Sequence, residues 1–207
     1  MAGEQPRRRL APEARRAQLI AVAEQVFVAH GYQGTAVEDI AAAAGVTRTL
    51  IYKYFADKDE IYLECLRAAR DELDTAVVAA AGGAVSPEDQ LRAGLGAYFR
   101  FVRDSGSTWD VLFGGGAAVA GRVAEAAAEQ RYRTAEVIAG LVRTAAPHVD
   151  GEAASAYAHA ISGAAEQLAK WWRRHPEVAV DVLVARMMDA LWTGLRAIAE
   201  GDVSEGD

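Results

Sequence analysis

The sequence contains one cysteine, five prolines and no long apolar run, and these shortages exclude several classes of protein. The single cysteine, Cys65, excludes an internal disulfide framework and fits a reducing compartment. No apolar stretch reaches the ~18 residues that suggest a membrane-spanning helix. The first 16 residues carry arginines without the apolar segment of a secretory signal. We therefore expect a cytoplasmic protein that does not enter a membrane.

Signals for β-strands are also scarce, because the chain has few β-branched runs and no segments that alternate polar and apolar residues. Alanine, leucine, arginine and glutamate dominate, and all four favour helix. The prolines fall where helices could begin or end. The sequence thus predicts an all-α fold of about nine helices: a three-helix N-terminal unit followed by a larger helical body. The expected helices cover about residues 12–29, 35–44, 47–54, 57–80, 86–103, part of 104–116, 119–145, 152–174 and 178–200.

The charge is divided unevenly along the chain. Residues 1–55 hold seven basic and five acidic residues, whereas residues 56–207 hold fifteen basic and twenty-four acidic residues. A basic leading segment on an acidic body suggests that one end faces nucleic acid while the rest avoids phosphate.

Residues 35–58 have the pattern of two short helices joined by a tight turn. Thr35 and Glu38 have the spacing of a capping box at the start of the first of these helices. Gly45 supplies the positive φ that the turn needs, and the small Ala41 allows the helices to approach closely. This pattern predicts a helix-turn-helix.

The outward side of the second short helix is polar, basic and rich in hydrogen-bond donors. A DNA major groove and its flanking phosphates require such a surface. The residues on it are Thr47, Arg48, Thr49, Tyr52 and Lys53.

Over about residues 12–65 the chain resembles the tetracycline-repressor (TetR) family of transcriptional regulators. The pattern is a Gly-Val turn, a hydroxyl residue, a basic residue, an aliphatic-Tyr-x-aromatic-Phe block and a Lys-acidic pair. In this chain it reads Gly45-Val46-Thr47-Arg48, then Ile51-Tyr52-Lys53-Tyr54-Phe55, then Lys58-Asp59.

The resemblance implies which residues touch double-stranded DNA. Phosphate contacts are implied for Thr35, Tyr52, Tyr54 and Lys58, and base or groove contacts for Thr47, Arg48, Thr49 and Lys53. Leu50 stands where many relatives have a small or polar residue, and we expect it to touch a thymine methyl group. Structural alternatives stay open for four of these residues. Tyr52 and Tyr54 are packing aromatics, with Tyr54 the more buried of the two; Lys58 is only a first-turn helix residue; and Arg48 pairs with Glu38 or Asp39 instead of DNA.

We divide the chain into four segments. Residues 1–11 form a basic arm in which Arg7, Arg8 and Arg9 either contact DNA or belong to a solvated tail. Residues 12–56 form the helix-turn-helix domain, and residues 57–200 form the domain for effector binding and dimerisation. Residues 201–207 form a frayed tail.

Signs of catalysis are missing from the sequence. The four histidines are scattered without metal-ligand spacing, and no Ser-His-Asp or paired-carboxylate arrangement is evident. Gly114-Gly115-Gly116 lacks the Lys-Ser/Thr of a phosphate loop and is expected to be a joint. We expect a protein that is not an enzyme and uses no cofactor or metal.

The last two long helices carry apolar faces on which two copies could pack. A single helix-turn-helix reads too few bases for useful specificity, and two-fold pairing solves this. The resemblance implies that these helices form a four-helix dimer interface, whereas the alternative is that their faces only close the core of one chain. The candidate interface residues are Ile161, Ala165, Leu168, Trp172, Leu183, Met187, Leu191 and Leu195.

The body is larger than DNA binding alone requires. The resemblance implies a small-molecule effector that moves the two helix-turn-helix domains of the dimer apart. Five aromatic residues are candidates to line an apolar pocket, with core packing as the alternative for each: Tyr98, Phe99, Trp109, Phe113 and Tyr132. We expect a dimeric repressor released from a near-palindromic operator by a small, largely apolar effector. A constitutive DNA-binding or architectural protein without an effector is the competing interpretation.

Overall fold

The computed structural model describes residues 11–113 and 122–200, and within these ranges the chain forms nine helices and no strand. The helices are α1 (Pro12–His30), α2 (Val37–Ala43), α3 (Arg48–Ile51), α4 (Lys58–Gly82), α5 (Pro87–Asp104), α6 (Gly106–Phe113), α7 (Arg122–Ala145), α8 (Gly151–Trp172) and α9 (Val180–Glu200). The predicted all-α fold is confirmed. The arginines of the N-terminal arm, the glycine joint at 114–116 and the tail at 201–207 lie outside the described residues.

Local sequence signals explain where most helices begin. Proline occupies the first turn of α1 and of α5, where its missing N–H costs no helical hydrogen bond. Four helices, α5 among them, begin with a side-chain cap that accepts the backbone N–H three residues later, which satisfies a donor without a helical partner. The capping residues are Thr47, Asp57, Ser86 and Asp150.

The start of α2 differs from the prediction. The capping residue is Ala36, whose backbone N–H donates to the carboxylate of Asp39 at 2.8 Å. The Thr35 side chain is buried, and its hydroxyl donates to the carbonyl of Gly31 at 2.8 Å. The predicted capping box of Thr35 and Glu38 is therefore wrong by one residue, because Thr35 is used to close the loop after α1.

Helix α4 is central to the fold. It packs against four other helices, α1, α5, α6 and α7. One apolar cluster extends from Leu19 of α1 to Met188 of α9, so the helix-turn-helix and the body share a continuous core. Displacements in the body can consequently reach α1 through packed side chains.

Alanines join α7 to α8 in a smaller cluster made of Ala135, Ala139, Ala154 and Ala158. Helix α9 packs mainly on α5. No helix in the described part of the chain is long and apolar enough to cross a lipid bilayer.

Candidate functional site

Helices α2 and α3 form a helix-turn-helix whose turn is built on Gly45. This glycine has a φ of 62°, in the left-handed region that residues with a Cβ rarely adopt. Val46 donates its backbone N–H to the carbonyl of Ala41 at 3.0 Å, which folds the turn back onto α2. The Ile51 side chain is fully buried and anchors α3 in the core. These contacts fix the direction of α3 relative to α2.

The outer side of α3 is exposed, as the sequence predicts. Thr47, Arg48, Thr49, Tyr52 and Lys53 all lie in solvent. Leu50 and Tyr54 are half-buried, and Tyr54 packs against the apolar core. The packing alternative for Tyr54 therefore agrees with the structure, and its phosphate contact stays a prediction.

Arg48 is already engaged within the chain. Its guanidinium forms an ion pair with Glu38 at 2.5 Å and donates to the hydroxyl of Tyr52 at 3.0 Å. The hydrogen bond to Tyr52 and the charge of Glu38 raise the pKa of Arg48 above its ordinary value. Among the described residues, Lys53 has no such partner. DNA could therefore contact Lys53 directly, whereas a DNA phosphate must compete with the Glu38 carboxylate for Arg48.

We expect Glu38→Gln to strengthen DNA binding by about two- to fivefold, because an exposed ion pair of this kind is weak and its loss frees Arg48 for phosphate. Fluorescence anisotropy with duplex DNA measures the change. The matched control is the same substitution in an Arg48→Ala background, where the gain should vanish. A gain of equal size in that background contradicts the competition.

A second set of contacts, which we call the loop latch, ties the loop after α1 to the start of α4. Lys58 donates from Nζ to the carbonyls of Tyr32 and Thr35, each at 3.0 Å, and the ammonium lies 4.3 Å from the centre of the Tyr32 ring. The Tyr32 hydroxyl donates to the carboxylate of Asp59. Burial, and then this hydrogen bond, raise the pKa of Tyr32 above its ordinary value.

The loop latch changes two expectations. Thr35 is buried, so its side chain reaches a phosphate only after rearrangement, and its DNA contact stays a prediction. Lys58 directs two of its three N–H donors into the protein, and only the remaining donor is left for DNA. Sequence reasoning missed the pairing of Tyr32 with Asp59, although both residues lie in the segment that resembles the TetR family.

Lys58 and Lys53 should therefore respond differently to removal. We expect Lys58→Ala to lower the free energy of unfolding by about 1–3 kcal/mol, because hydrogen bonds from a charged group to partly buried carbonyls are lost. Lys53→Ala should leave stability unchanged and should reduce the salt dependence of DNA binding by about one released ion. Chemical denaturation and salt titration measure the two effects. Equal losses of stability in both variants contradict this assignment.

The body holds a partly open apolar cavity of about 130 Å³. Helices α4 to α9 all contribute to its wall, and side chains from α5, α7 and α8 make up much of it. Its polar lining groups come from Gln90, Tyr98, Thr134, Tyr157, Ser162 and Glu166. A concave, mostly apolar space with a few polar groups is the usual form of a small-molecule site.

Two of the five predicted pocket aromatics, Tyr98 and Phe113, line this cavity. The other three do not line it. Phe99 is fully buried in core packing with its ring edge on Trp172, and Tyr132 is 60% exposed with its ring on His159. Trp109 is buried behind two residues of the cavity wall: it donates from Nε1 to the Tyr98 hydroxyl at 3.1 Å and packs on Phe113.

Helix α6 connects the cavity region to α1. At its C-terminal end Phe113 lines the cavity, and in its first turn the Thr108 hydroxyl donates to the Glu24 carboxylate of α1 at 2.5 Å. After α8, Arg173 forms an ion pair with Asp110 at 2.6 Å. Sequence reasoning missed the pairing of Thr108 with Glu24, because 84 residues separate the two in the chain.

Most of the residues predicted to form a dimer interface lie inside one chain. Five of the eight are buried in the core: Ile161, Ala165, Trp172, Leu183 and Met187. Leu195 lines the cavity, and Leu168 and Leu191 are half-buried against the core. The alternative that these faces close the protomer core is correct for the five buried side chains. The outer face of α8 instead exposes Ala156, Ala160, Gly163 and Gln167.

Cys65 is buried and donates its thiol to the carbonyl of Ile20. Burial raises the pKa of this thiol, so nearby arginines do not make it reactive. In the described part of the chain, no three His, Cys, Asp or Glu side chains come together as metal ligands.

Comparison with known proteins matches both parts of the chain to family models. The model described as bacterial regulatory proteins, tetR family, matches residues 19–65, and the tetracyclin repressor-like C-terminal domain matches residues 87–194. The HTH-type transcriptional activator FasR of Mycolicibacterium smegmatis is 33% identical over 105 residues, which is 51% of this chain and 48% of FasR. The chain spans only 35–48% of the length of the curated relatives it matches.

Solved structures show the same fold. A TetR-like transcriptional regulator from Rhodococcus sp. RHA1 superimposes with a TM-score of 0.71 at 26% identity, covering 91% of this chain and 99% of the regulator. AibR, solved in complex with isovaleryl coenzyme A and operator DNA, superimposes with a TM-score of 0.67 at 17% identity, covering 86% of this chain and 97% of AibR.

Proposed function

Because the chain belongs to the tetR family of bacterial regulatory proteins, we propose that it is a dimeric repressor that leaves its operator when a small ligand occupies the body. The observation that carries the proposal is the presence of an exposed, basic helix-turn-helix face and an apolar cavity in a chain with one continuous core. The direction of regulation, the dimer and the ligand are parts of the proposal.

The α3 surface supports recognition of double-stranded DNA. Lys53 and Arg48 supply positive charge for phosphates and donors for base edges, while the hydroxyls of Thr47, Thr49 and Tyr52 add shorter-range contacts. Phosphate contacts position α3 in the major groove, and base-edge contacts discriminate between sequences.

The outer faces of α8 and α9 support pairing of two chains. On α8, the exposed Ala156, Ala160, Gly163 and Gln167 recur at spacings of four, three and four, so they form one stripe along the helix. Three of these four residues are small, which allows close approach of a second helix. The exposed surface of α9 adds Val182, Ala185, Ala190 and Gly194.

The cavity supports control by a ligand, and only α6 lies between it and α1 of the helix-turn-helix domain. AibR was solved with both an acyl-coenzyme A and operator DNA, so one neighbour in fold binds both kinds of partner. In this chain a ligand that moves Phe113 moves α6, whose Thr108 is bonded to α1. Ligand binding weakens DNA binding only if the ligand binds more tightly to the conformation in which the two helix-turn-helix domains are further apart.

Selection of binding sites from random duplex DNA tests the proposal, together with light scattering of the free protein. We expect a near-palindromic site whose half-sites are about one helical turn, or a modest multiple, apart. We also expect a dimer at micromolar concentration. Recovery of no preferred site, or a strictly monomeric protein, would refute the proposal.

A further inference from the structure

A buried arginine lies beside the cavity, and the proposed function does not use it. Arg70 of α4 is 1% exposed. Its Nη1 donates to the hydroxyl of Thr134 at 2.6 Å, whereas Nε and Nη2 have no hydrogen-bond partner among the residues that the structure describes. A buried donor without a partner loses its bonds to water and gains nothing in exchange.

The positive charge of Arg70 is also incompletely balanced. The closest carboxylate route is indirect, because Thr134 accepts from Arg70 and donates in turn to Asp74 at 2.7 Å. Glu166 lies in the cavity wall but forms its own ion pair with Lys170 at 2.5 Å. Burial lowers the pKa of Arg70, as expected for a charge removed from water. A buried guanidinium of this kind needs an anion and acceptors.

Arg70 does not line the cavity itself, but it contacts two residues that do. The guanidinium lies 5.3 Å from the centre of the Phe113 ring, and both Phe113 and Thr134 belong to the cavity wall. The ring of Phe113 thus stands next to the arginine at the α6 side of the cavity. A ligand that displaces this ring would bring its polar end to the free donors of Arg70.

We propose that the cavity takes a small carboxylate with an apolar body, and that Arg70 binds its carboxylate through Nε and Nη2. This inference rests on the proposed function and names the class of effector. The planar guanidinium matches the two oxygens of a carboxylate, which a neutral alcohol does not. A cavity of ~150 Å³ holds a benzene-sized molecule, so a body of about six carbons suits the 130 Å³ found here.

Binding of the carboxylate to Arg70 would also move α6. Phe113 stacks on Trp109, and both belong to the helix whose Thr108 is bonded to Glu24 of α1. Displacing Phe113 from Arg70 therefore shifts the helix that contacts α1. The carboxylate replaces a contact with an aromatic ring by charge-assisted hydrogen bonds, which favours the shifted form.

Direct binding of octanoate and 1-octanol to the full chain, without DNA, tests the inference by calorimetry. We expect octanoate to bind the wild-type protein at least tenfold more tightly than 1-octanol. Arg70→Met should weaken octanoate by roughly ten- to a hundredfold, the value of hydrogen bonds to a charged group, and should change 1-octanol less than twofold. The matched control is Arg92→Met, which removes an exposed arginine of α5 and should alter neither ligand.

Folding of the variant does not limit the test. Methionine fills a similar volume and removes two buried donors that have no partner, while Thr134 keeps its bond to Asp74, so the melting temperature of Arg70→Met should stay close to that of wild type. Arg70→Lys keeps the charge without the planar fork, and an intermediate octanoate affinity is expected for it.

Three outcomes overturn the inference: equal affinities of octanoate and 1-octanol for wild type, full octanoate affinity in Arg70→Met, or binding of neither ligand. The effect of octanoate on DNA binding is measured separately. If octanoate binds through Arg70 but leaves DNA affinity unchanged, the carboxylate site stands and ligand-controlled release is refuted.

Discussion

Replacement of Gly163 by arginine is expected to convert the proposed dimer into a monomer. It should weaken operator binding by about 100- to 10,000-fold, the range by which two linked DNA-binding domains exceed a single one. Gly163 lies in the middle of the exposed stripe on α8, and a Cβ added there meets nothing within 4 Å in the protomer. The new side chain therefore disturbs a partner chain and not its own. Light scattering and anisotropy with full and half operators measure the change.

The stability of the isolated chain should not fall in this variant. Glycine in a helix interior is about 1 kcal/mol less favourable than good helix formers, so Gly163→Arg should favour α8 itself. Gly163→Ala is the conservative variant and should remain dimeric. Gly82→Arg is the matched control, because Gly82 is an exposed residue of α4 with equally open surroundings. A dimeric Gly163→Arg protein with unchanged operator affinity would place the interface elsewhere.

Thr108→Val is expected to abolish release of DNA by ligand while preserving both ligand binding and DNA binding. In the wild-type protein a coupling of 1–3 kcal/mol corresponds to about a 5- to 150-fold change in DNA affinity. Valine has nearly the shape of threonine but cannot donate to Glu24, so α6 loses its hydrogen bond to α1. We expect the ligand effect to fall to about twofold or less. Anisotropy titrations with and without octanoate measure it.

Thr108→Val should disturb folding less than truncation of the neighbouring Trp109. Removing a buried tryptophan leaves a cavity that costs about 3–5 kcal/mol, which would confuse loss of signalling with loss of folding. Ser107→Ala is the matched control, since it removes an exposed hydroxyl from the same turn of α6. If Thr108→Val releases DNA as fully as the control does, the signal does not pass through Glu24.

Local signals in the sequence were sufficient for the helices and for the turn between α2 and α3. Ser86 and Pro87 together predict the start of α5, and Gly45 predicts the positive φ of the turn, because each effect depends on neighbours in the chain. Thr35 shows the limit of such reasoning. It has the spacing of a capping residue, but the fold buries it and turns its hydroxyl to Gly31.

Helix α8 shows a different limit, because it is apolar on more than one side. Alanines occur both on its buried face, as at Ala158 and Ala165, and on its exposed face, as at Ala156 and Ala160. Periodicity identifies such a helix without stating which face turns inward. The predicted dimer residues were accordingly taken largely from the inner face.

The sequence by itself determined the helices, the recognition segment and the family, because caps, turn residues and short motifs act over a few positions. Only the tertiary structure decided which side chains meet across helices. It placed Arg70 of α4 beside Thr134 of α7 and Phe113 of α6, and it joined Thr108 to Glu24. Partners separated by tens of residues leave no periodic signal in the sequence. Burial also makes an unpaired donor or charge cost more free energy than it would at the surface, and only the fold decides which groups are buried.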